Sequence, residues 1–183
     1  LMFTTLLNFC SNDLSAFYFD ISKDSIYCDS FQSVKRRAAR TLLDLIFNHL
    51  VRWLAPSLAF TCEEAWKARG YTSSIHLEDF VSTKKEYQST DLKKKWDTIK
   101  NIRKVITGAL EKKRAEKIIG SSLEAHIKVF VSDEIKKIIT NIHLDEIAIT
   151  SSYELLSNES AVSGFVMDEI EGVSVEVEKA VGD

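Results

Sequence analysis

The sequence predicts a mainly α protein: an antiparallel helical bundle over residues 1–119, followed by a small α+β module over residues 120–183. Three observations carry that expectation. One proline and six glycines in 183 residues leave few chain breakers, so long helices are expected. Apolar residues recur at steps of three and four through most of the first 119 positions. After Gly120 the period changes to two. The length suits one or two domains, and 45% apolar with 28% charged residues is the balance of a chain that buries a core rather than staying disordered.

The first helix is expected from Phe3 to about Ile21, on Phe3, Leu6/Leu7, Cys10, Leu14, Phe17/Tyr18 and Ile21. Leu1-Met2-Phe3 enters the helical period with no capping residue, as if a longer chain had been trimmed inside an element. Ser33 is placed to cap a second helix with an inward stripe of Val34, Ala38, Leu42, Leu45/Ile46, His49 and Trp53. Pro56 is expected at a helix start, where its missing N–H costs nothing. The third helix then runs to about Arg69 and stops at Gly70. Tyr71 to Ser89 has no helical period and reads as an extended connection. Thr90 or Asp91 opens the longest helix, with Leu92, Trp96, Ile99, Ile102, Ile106 and Leu110 facing inward, ending at Gly120-Ser121-Ser122.

In the module, Leu123, Ala125, Ile127, Val129 and Val131 alternate with polar residues as a half-buried strand does. Ser132-Asp133-Glu134 reads as a capped helix start before Ile135, Ile138, Ile139 and Ile142. Leu144 to Ile149 is expected as a short strand. Phe165–Ile170 and Val173–Val177 would flank a hairpin turn at Glu171-Gly172. About sixty residues is marginal for independent stability, so the module is expected to pack on a neighbour.

The formal charge of −3 hides an uneven distribution. Residues 31–56 carry five bases against one acid, and residues 89–119 ten against four. Residues 120–183 carry four bases against thirteen acids. A basic middle beside an acidic tail suggests a polyanion partner for one part only. Cys10, Cys28 and Cys62 are odd in number and widely spaced, which argues against a disulfide framework or a thiolate zinc site and suits a reducing cytoplasm. The longest apolar neighbourhood, Leu50–Phe60, is interrupted by Arg52 and Pro56 and is too short to span a bilayer. The N-terminus lacks the basic segment and cleavage site of a signal peptide.

No catalytic constellation is present in the sequence. His49, His76, His126 and His143 have no ligand spacing, and no phosphate-cradling glycine loop occurs. His49 reads as a satisfied core histidine. Glu63 and Glu64 are adjacent on a helix and read as solvated residues rather than an acid/base pair. Trp53, Trp66 and Trp96 read as core packing, with base stacking as the alternative. Two basic features stand out. Arg36 and Arg40 are one helical turn apart and repel, with Arg37 beside them and only Asp44 placed to compensate, through Arg40. Such a cluster makes sense if an anion occupies it; a solvated helix face is the other reading. On the longest helix, Lys93, Lys100 and Lys104 fall at i, i+7 and i+11, a ridge suited to following phosphates, or one that serves only solubility.

Three runs go further. The first is Asn8-Phe9-Cys10-Ser11-Asn12-Asp13-Leu14-Ser15-Ala16-Phe17-Tyr18-Phe19-Asp20, followed by Lys23-Asp24 and Tyr27-Cys28. The second is Leu50-Val51-Arg52-Trp53-Leu54-Ala55-Pro56 with Phe60-Thr61-Cys62-Glu63-Glu64-Ala65-Trp66. The third is Arg114-Ala115-Glu116-Lys117-Ile118-Ile119-Gly120-Ser121-Ser122-Leu123-Glu124-Ala125. In this order they resemble the C-terminal anticodon-binding region of bacterial-type isoleucyl-tRNA synthetases, class I enzymes. Valyl and leucyl enzymes share the bundle, but Asp13-Leu14-Ser15-Ala16-Phe17-Tyr18 favours the isoleucyl branch.

The resemblance implies a class I anticodon-binding bundle that holds the anticodon stem-loop of isoleucine tRNA, in a parent that joins isoleucine to its tRNA with ATP. The family's His-x-Gly-His and Lys-Met-Ser-Lys-Ser signatures are absent, and so is the cysteine-rich zinc knuckle its members usually carry farther on. No catalytic, cofactor or metal residue is therefore assigned, and this piece alone is expected to be inactive in charging. Candidate RNA contacts are Arg36, Arg37 and Arg40, then Lys23 and Arg52 as members of the family strings, with Lys93, Lys100 and Lys104 following the stem. Expected partners are isoleucine tRNA and the remaining domains of the parent synthetase, with no membrane, in a cytoplasmic monomer. The competing expectation is a helical protein-interaction module whose basic ridges dock on acidic proteins.

Overall fold

A computed structural model describes residues 2–157 and 164–180. The chain divides into two compact units, Leu1–Gln88 and Ser89–Asp183. Leu1 of the uncapped start and Val181 to Asp183 lie outside the described residues.

The first unit is helical. Its opening stretch is α1 (Met2–Asn8), a wider π-wound segment over Phe9–Phe19, and α2 (Asp20–Tyr27). It therefore runs past the expected end at Ile21 and is not uniformly α. Ser33 caps α3 (Val34–Leu54) as expected: its Oγ accepts the Arg36 N–H at 3.3 Å. The buried face of α3 differs from the expected one. Ala39 and Val51 are buried and Phe47 and Leu54 pack beside the core, whereas Val34, Leu42 and Leu45 are exposed. Between Leu42 and Leu54 this helix is apolar on nearly every side, so periodicity alone could not choose which side turns inward. The expected stripe instead lines a shallow apolar depression with Phe9 and Tyr87, where Leu42, Leu45, His49 and Trp53 are found.

Pro56 sits in the turn after α3 rather than at a helix start, and α4 begins three residues later (Ala59–Ala68). Gly70 follows at φ +98°, the left-handed geometry expected of a residue that ends a helix. Val51, Ala55, Cys62, Trp66 and Ile75 form the core of this region. Trp66 lies flat on Tyr71, ring centroids 3.6 Å apart. The expected extended connection contains two 3-10 turns, Ile75–Leu77 and Lys85–Tyr87.

The second unit is built on α5 (Thr90–Ala115), whose Ser89 cap accepts the Leu92 N–H at 3.2 Å. Ile99, Ile102, Val105, Ile106, Ala109 and Leu110 are buried along it, while Leu92, expected inward, is exposed. The helix ends before Gly120. Lys117 takes the left-handed conformation (φ 57°), and the N–H groups of Lys117 and Ile118 reach back to Arg114 O and Lys113 O, both at 3.0 Å.

Strand β1 (Ala125–Val131) buries Ala125, Ile127, Val129 and Val131, as the alternation predicts; Leu123 lies before it in a 3-10 turn and is exposed. Ser132 caps α6 (Asp133–Ile139). The expected strand over Leu144–Ile149 is instead a short helix, α7 (Leu144–Ala148), closed by Ile149 in the left-handed region. Its apolar residues Leu144, Ile147 and Ala148 satisfy a helical i, i+3, i+4 spacing, and five residues are too few to separate that from alternation. The strand lies just beyond, at β2 (Ser152–Ser157). The hairpin turn is at Asp168-Glu169, between β3 (Phe165–Met167) and β4 (Ile170–Lys179), not at Glu171-Gly172. Gly172, at φ +75°, lies where β4 absorbs a register shift against β3.

The four strands make a mixed sheet in the order β2-β1-β4-β3, with β1 and β2 parallel and the other pairs antiparallel. Ile127, Val129 and Val131 pair with Val177, Val175 and Val173 across β1 and β4. This apolar ladder and the buried line of α5 cover one another. The long helix packs on the sheet within the unit Ser89–Asp183. The protein is mainly α with a small mixed sheet. No described helix is long and apolar enough to cross a membrane.

Candidate nucleic-acid interface

The loop between α2 and α3 is held by one aspartate. Asp29 Oδ2 accepts from Ser25 Oγ at 3.1 Å and from Ser33 Oγ at 2.8 Å. Its backbone carbonyl accepts from Arg36 Nη1 at 2.6 Å. The Arg36 guanidinium also lies 4.4 Å from the centroid of the Phe31 ring. Arg36, a candidate contact in the sequence, is thus engaged in fastening its own loop.

Arg37 and Arg40 differ. Both are exposed, and among the described residues neither guanidinium has a partner. The compensation expected from Asp44 is not made: Asp44 Oδ1 accepts from Arg69 Nη2 at 2.7 Å, and that bond raises the Arg69 pKa. Two cations on one turn-and-a-bit of helix, beside the engaged Arg36, leave an uncompensated positive surface.

Arg52 is committed to the fold. Its Nη2 donates to Glu78 Oε2 at 3.0 Å and its guanidinium covers the Trp66 ring at 5.1 Å. Only 18% of its side chain is exposed. Lys23 is exposed and pairs with Asp20 at 2.9 Å, a contact of little strength that an incoming phosphate can replace.

The α5 lysines do not form a uniform ridge. Lys93 bonds Asp97 at 3.1 Å, Lys100 is half-buried and has an interaction of its own, and Lys104 is exposed. Among the described residues the Lys104 ammonium has no partner.

Sequence reasoning missed the acids that organise the first unit. Glu63, read as solvated, accepts from Ser74 Oγ and from the Ile75 N–H, both at 2.9 Å. The backbone bond from Ile75 is the main reason its pKa falls below the usual carboxylate range. Glu78 is lowered chiefly by its bond from Arg52, then by that from Ser73. Asp29 could have been suspected from its place four residues before the Ser33 cap; the Ser74 and Ile75 partners of Glu63 and the Arg52 partner of Glu78, eleven or more residues distant, leave no local signal. His49 Nδ1 lies 2.7 Å from Leu45 O, so its ring is satisfied, though half-buried rather than in the core. Burial raises the Cys62 thiol pKa. Among the described residues no group of three or more His, Cys, Asp or Glu is placed to hold a metal ion.

Residues 1–129 match the family model described as the anticodon-binding domain of tRNA ligase. The chain belongs to that family. The match spans the first unit and continues through α5 into β1. The chain is 44% identical over 181 residues to an isoleucine–tRNA ligase of Bradyrhizobium diazoefficiens and 45% identical over 179 residues to that of Bartonella henselae, covering 97% of this chain in both cases. Against the isoleucine–tRNA ligase of Ruegeria pomeroyi it is 43% identical over 185 residues, across all of this chain. It spans only 18–19% of the length of these relatives. Among the described residues of this chain, Arg37 and Arg40 stand exposed and unpartnered near the start of α3.

Proposed function

We propose that this chain is the part of an isoleucine–tRNA ligase that grips the anticodon stem-loop of isoleucine tRNA. In this reading α2, α3 and α4 stand as an antiparallel helical bundle. Arg37 and Arg40 neutralise phosphates, with Lys23 and Lys104 as secondary contacts. Arg36 and Arg52 shape the surface from beneath. The observation that carries the proposal is the pair of exposed, unpartnered guanidinium groups on α3 of an anticodon-binding domain. Basic side chains position an RNA backbone, and sequence is read from unstacked loop bases. ATP-dependent activation and transfer of isoleucine would belong to the rest of a parent enzyme that is cytoplasmic and monomeric; zinc, where such a parent carries it, would lie elsewhere than in the residues described here. In this reading the acidic stretch 120–183 does not hold RNA.

Filter binding of the 183-residue chain to isoleucine tRNA and to an unrelated tRNA of equal length tests this. The isoleucine tRNA should bind more tightly, with log affinity falling linearly against log salt. Converting Arg37 and Arg40 together to Glu should abolish binding, and converting both to Gln should lower the salt slope by roughly 1.4–1.8, two phosphate contacts' worth. Equal affinity for both tRNAs would favour general polyanion or acidic-protein docking instead. Unchanged binding in the Arg37/Arg40 variants would remove the site assignment. The chain should show no ATP–pyrophosphate exchange.

A further inference from the structure

We infer that Phe31 is a stacking platform for one unpaired nucleobase of the bound RNA, an inference that rests on the function proposed above. The residue is 75% exposed although it stands in a tightly fastened loop. The fastening is dense: Asp29 receives Ser25, Ser33 and Arg36, and the Ser33 N–H bonds Ser30 O at 3.0 Å while the Gln32 N–H bonds Ser30 Oγ at 3.2 Å. A segment bonded in this way does not need a solvent-facing phenyl ring for its own stability. Burying the ring would be worth more to the fold than leaving it in water.

One face of the ring is already covered by a cation. Arg36 Cζ lies 4.4 Å from the centroid, and Arg36 cannot swing away without giving up its bond to Asp29 O. With that face closed and three quarters of the residue exposed, the opposite face is open to solvent. A guanidinium-backed aromatic plane is a ready surface for a base, because every nucleobase presents a π face and the ring's orientation is fixed before binding. The neighbouring cations choose the occupant. Arg37 and Arg40 begin one residue beyond Arg36, exposed and unpartnered, where they can meet the phosphates on either side of a stacked base. Tyr27, four residues before Phe31 in the chain, is also exposed. Aromatic planes interleaved with free arginines suit single-stranded RNA, whereas a paired stem offers no base face to stack.

The test uses the 183-residue chain with two labelled RNAs: an anticodon-arm hairpin carrying 2-aminopurine at successive loop positions, and a fully paired duplex of the same stem. Phe31→Leu keeps an apolar side chain and removes the plane. It should weaken hairpin binding on the order of tenfold, within the range expected for one stacked base, and leave duplex binding and the salt slope unchanged. Phe31→Trp should preserve or tighten hairpin binding. One loop position should show 2-aminopurine quenching with the wild-type chain and none with Phe31→Leu. Hairpin affinity within twofold of wild type in Phe31→Leu, or an equal loss on hairpin and duplex, overturns the stacking role while the proposed function stands. If the wild-type chain binds neither RNA, the proposed function fails and this inference with it. Phe31 is exposed, so its variants should keep the fold, and an unchanged circular dichroism melt verifies it.

Discussion

Gly108→Ala isolates the packing of α5 on the sheet. In a helix interior, alanine exceeds glycine in stability by about 0.8–1.0 kcal/mol. At this position a Cβ would fall 2.7 Å from Phe165 Cε1 and 2.9 Å from Cζ, well inside contact distance. The Phe165 ring must then leave the helix surface, and overpacking of this kind costs about 1–3 kcal/mol. The net expectation is a loss of about 1 kcal/mol, or a fall of roughly 4–8 °C in Tm for a unit of this size. In a Phe165→Ala background the obstruction is gone, and the same substitution should stabilise by about 1 kcal/mol. The double-mutant cycle therefore carries a coupling of about 2 kcal/mol. Urea unfolding of the four proteins, followed by circular dichroism, measures it. Stabilisation by Gly108→Ala in both backgrounds would refute the reasoning, because it would mean that α5 does not approach β3 at this point.

Trp66→Ala should cost about 3–5 kcal/mol in urea unfolding, since a side chain 1% exposed and stacked on Tyr71 leaves a cavity that the helices around it cannot close. An effect below about 1 kcal/mol would contradict the core assigned to the first unit. Stability should also fall in acid through Glu63 and Glu78. Their pKa values are lowered in the folded state, so the unfolded chain binds more protons as pH drops. Their contribution is complete above the unfolded glutamate value of about 4.3 and is lost as pH falls through the lower folded values. Urea midpoints taken from neutral pH downward should show this slope, and the Glu63→Gln/Glu78→Gln pair should flatten it. An identical acid slope in the double variant would remove these two groups as its source.

What the sequence determined by itself is local or compositional. Ser33 and Ser132 announce helix starts because a cap acts within three residues of itself, and both accept an N–H three residues on. The alternation through Ala125, Ile127, Val129 and Val131 announces a strand because successive side chains there must face opposite ways. The three family strings likewise point to an anticodon-binding domain without any knowledge of contacts, and the family match covers residues 1–129. The tertiary structure decided matters that no short window contains. It selected Val51 and Phe47 over Leu42 and His49 as the inward side of a helix apolar nearly all round, and it laid α5 on the sheet. It also sorted the cations. Arg36, Arg37, Arg40 and Arg52 look equivalent in sequence, but Asp29 and Glu78 engage Arg36 and Arg52, while Asp44 turns to Arg69 and leaves Arg40 exposed beside Arg37. An arginine's availability depends on which acid or carbonyl the fold brings within about 3 Å, and Glu78 comes from a residue twenty-six positions away.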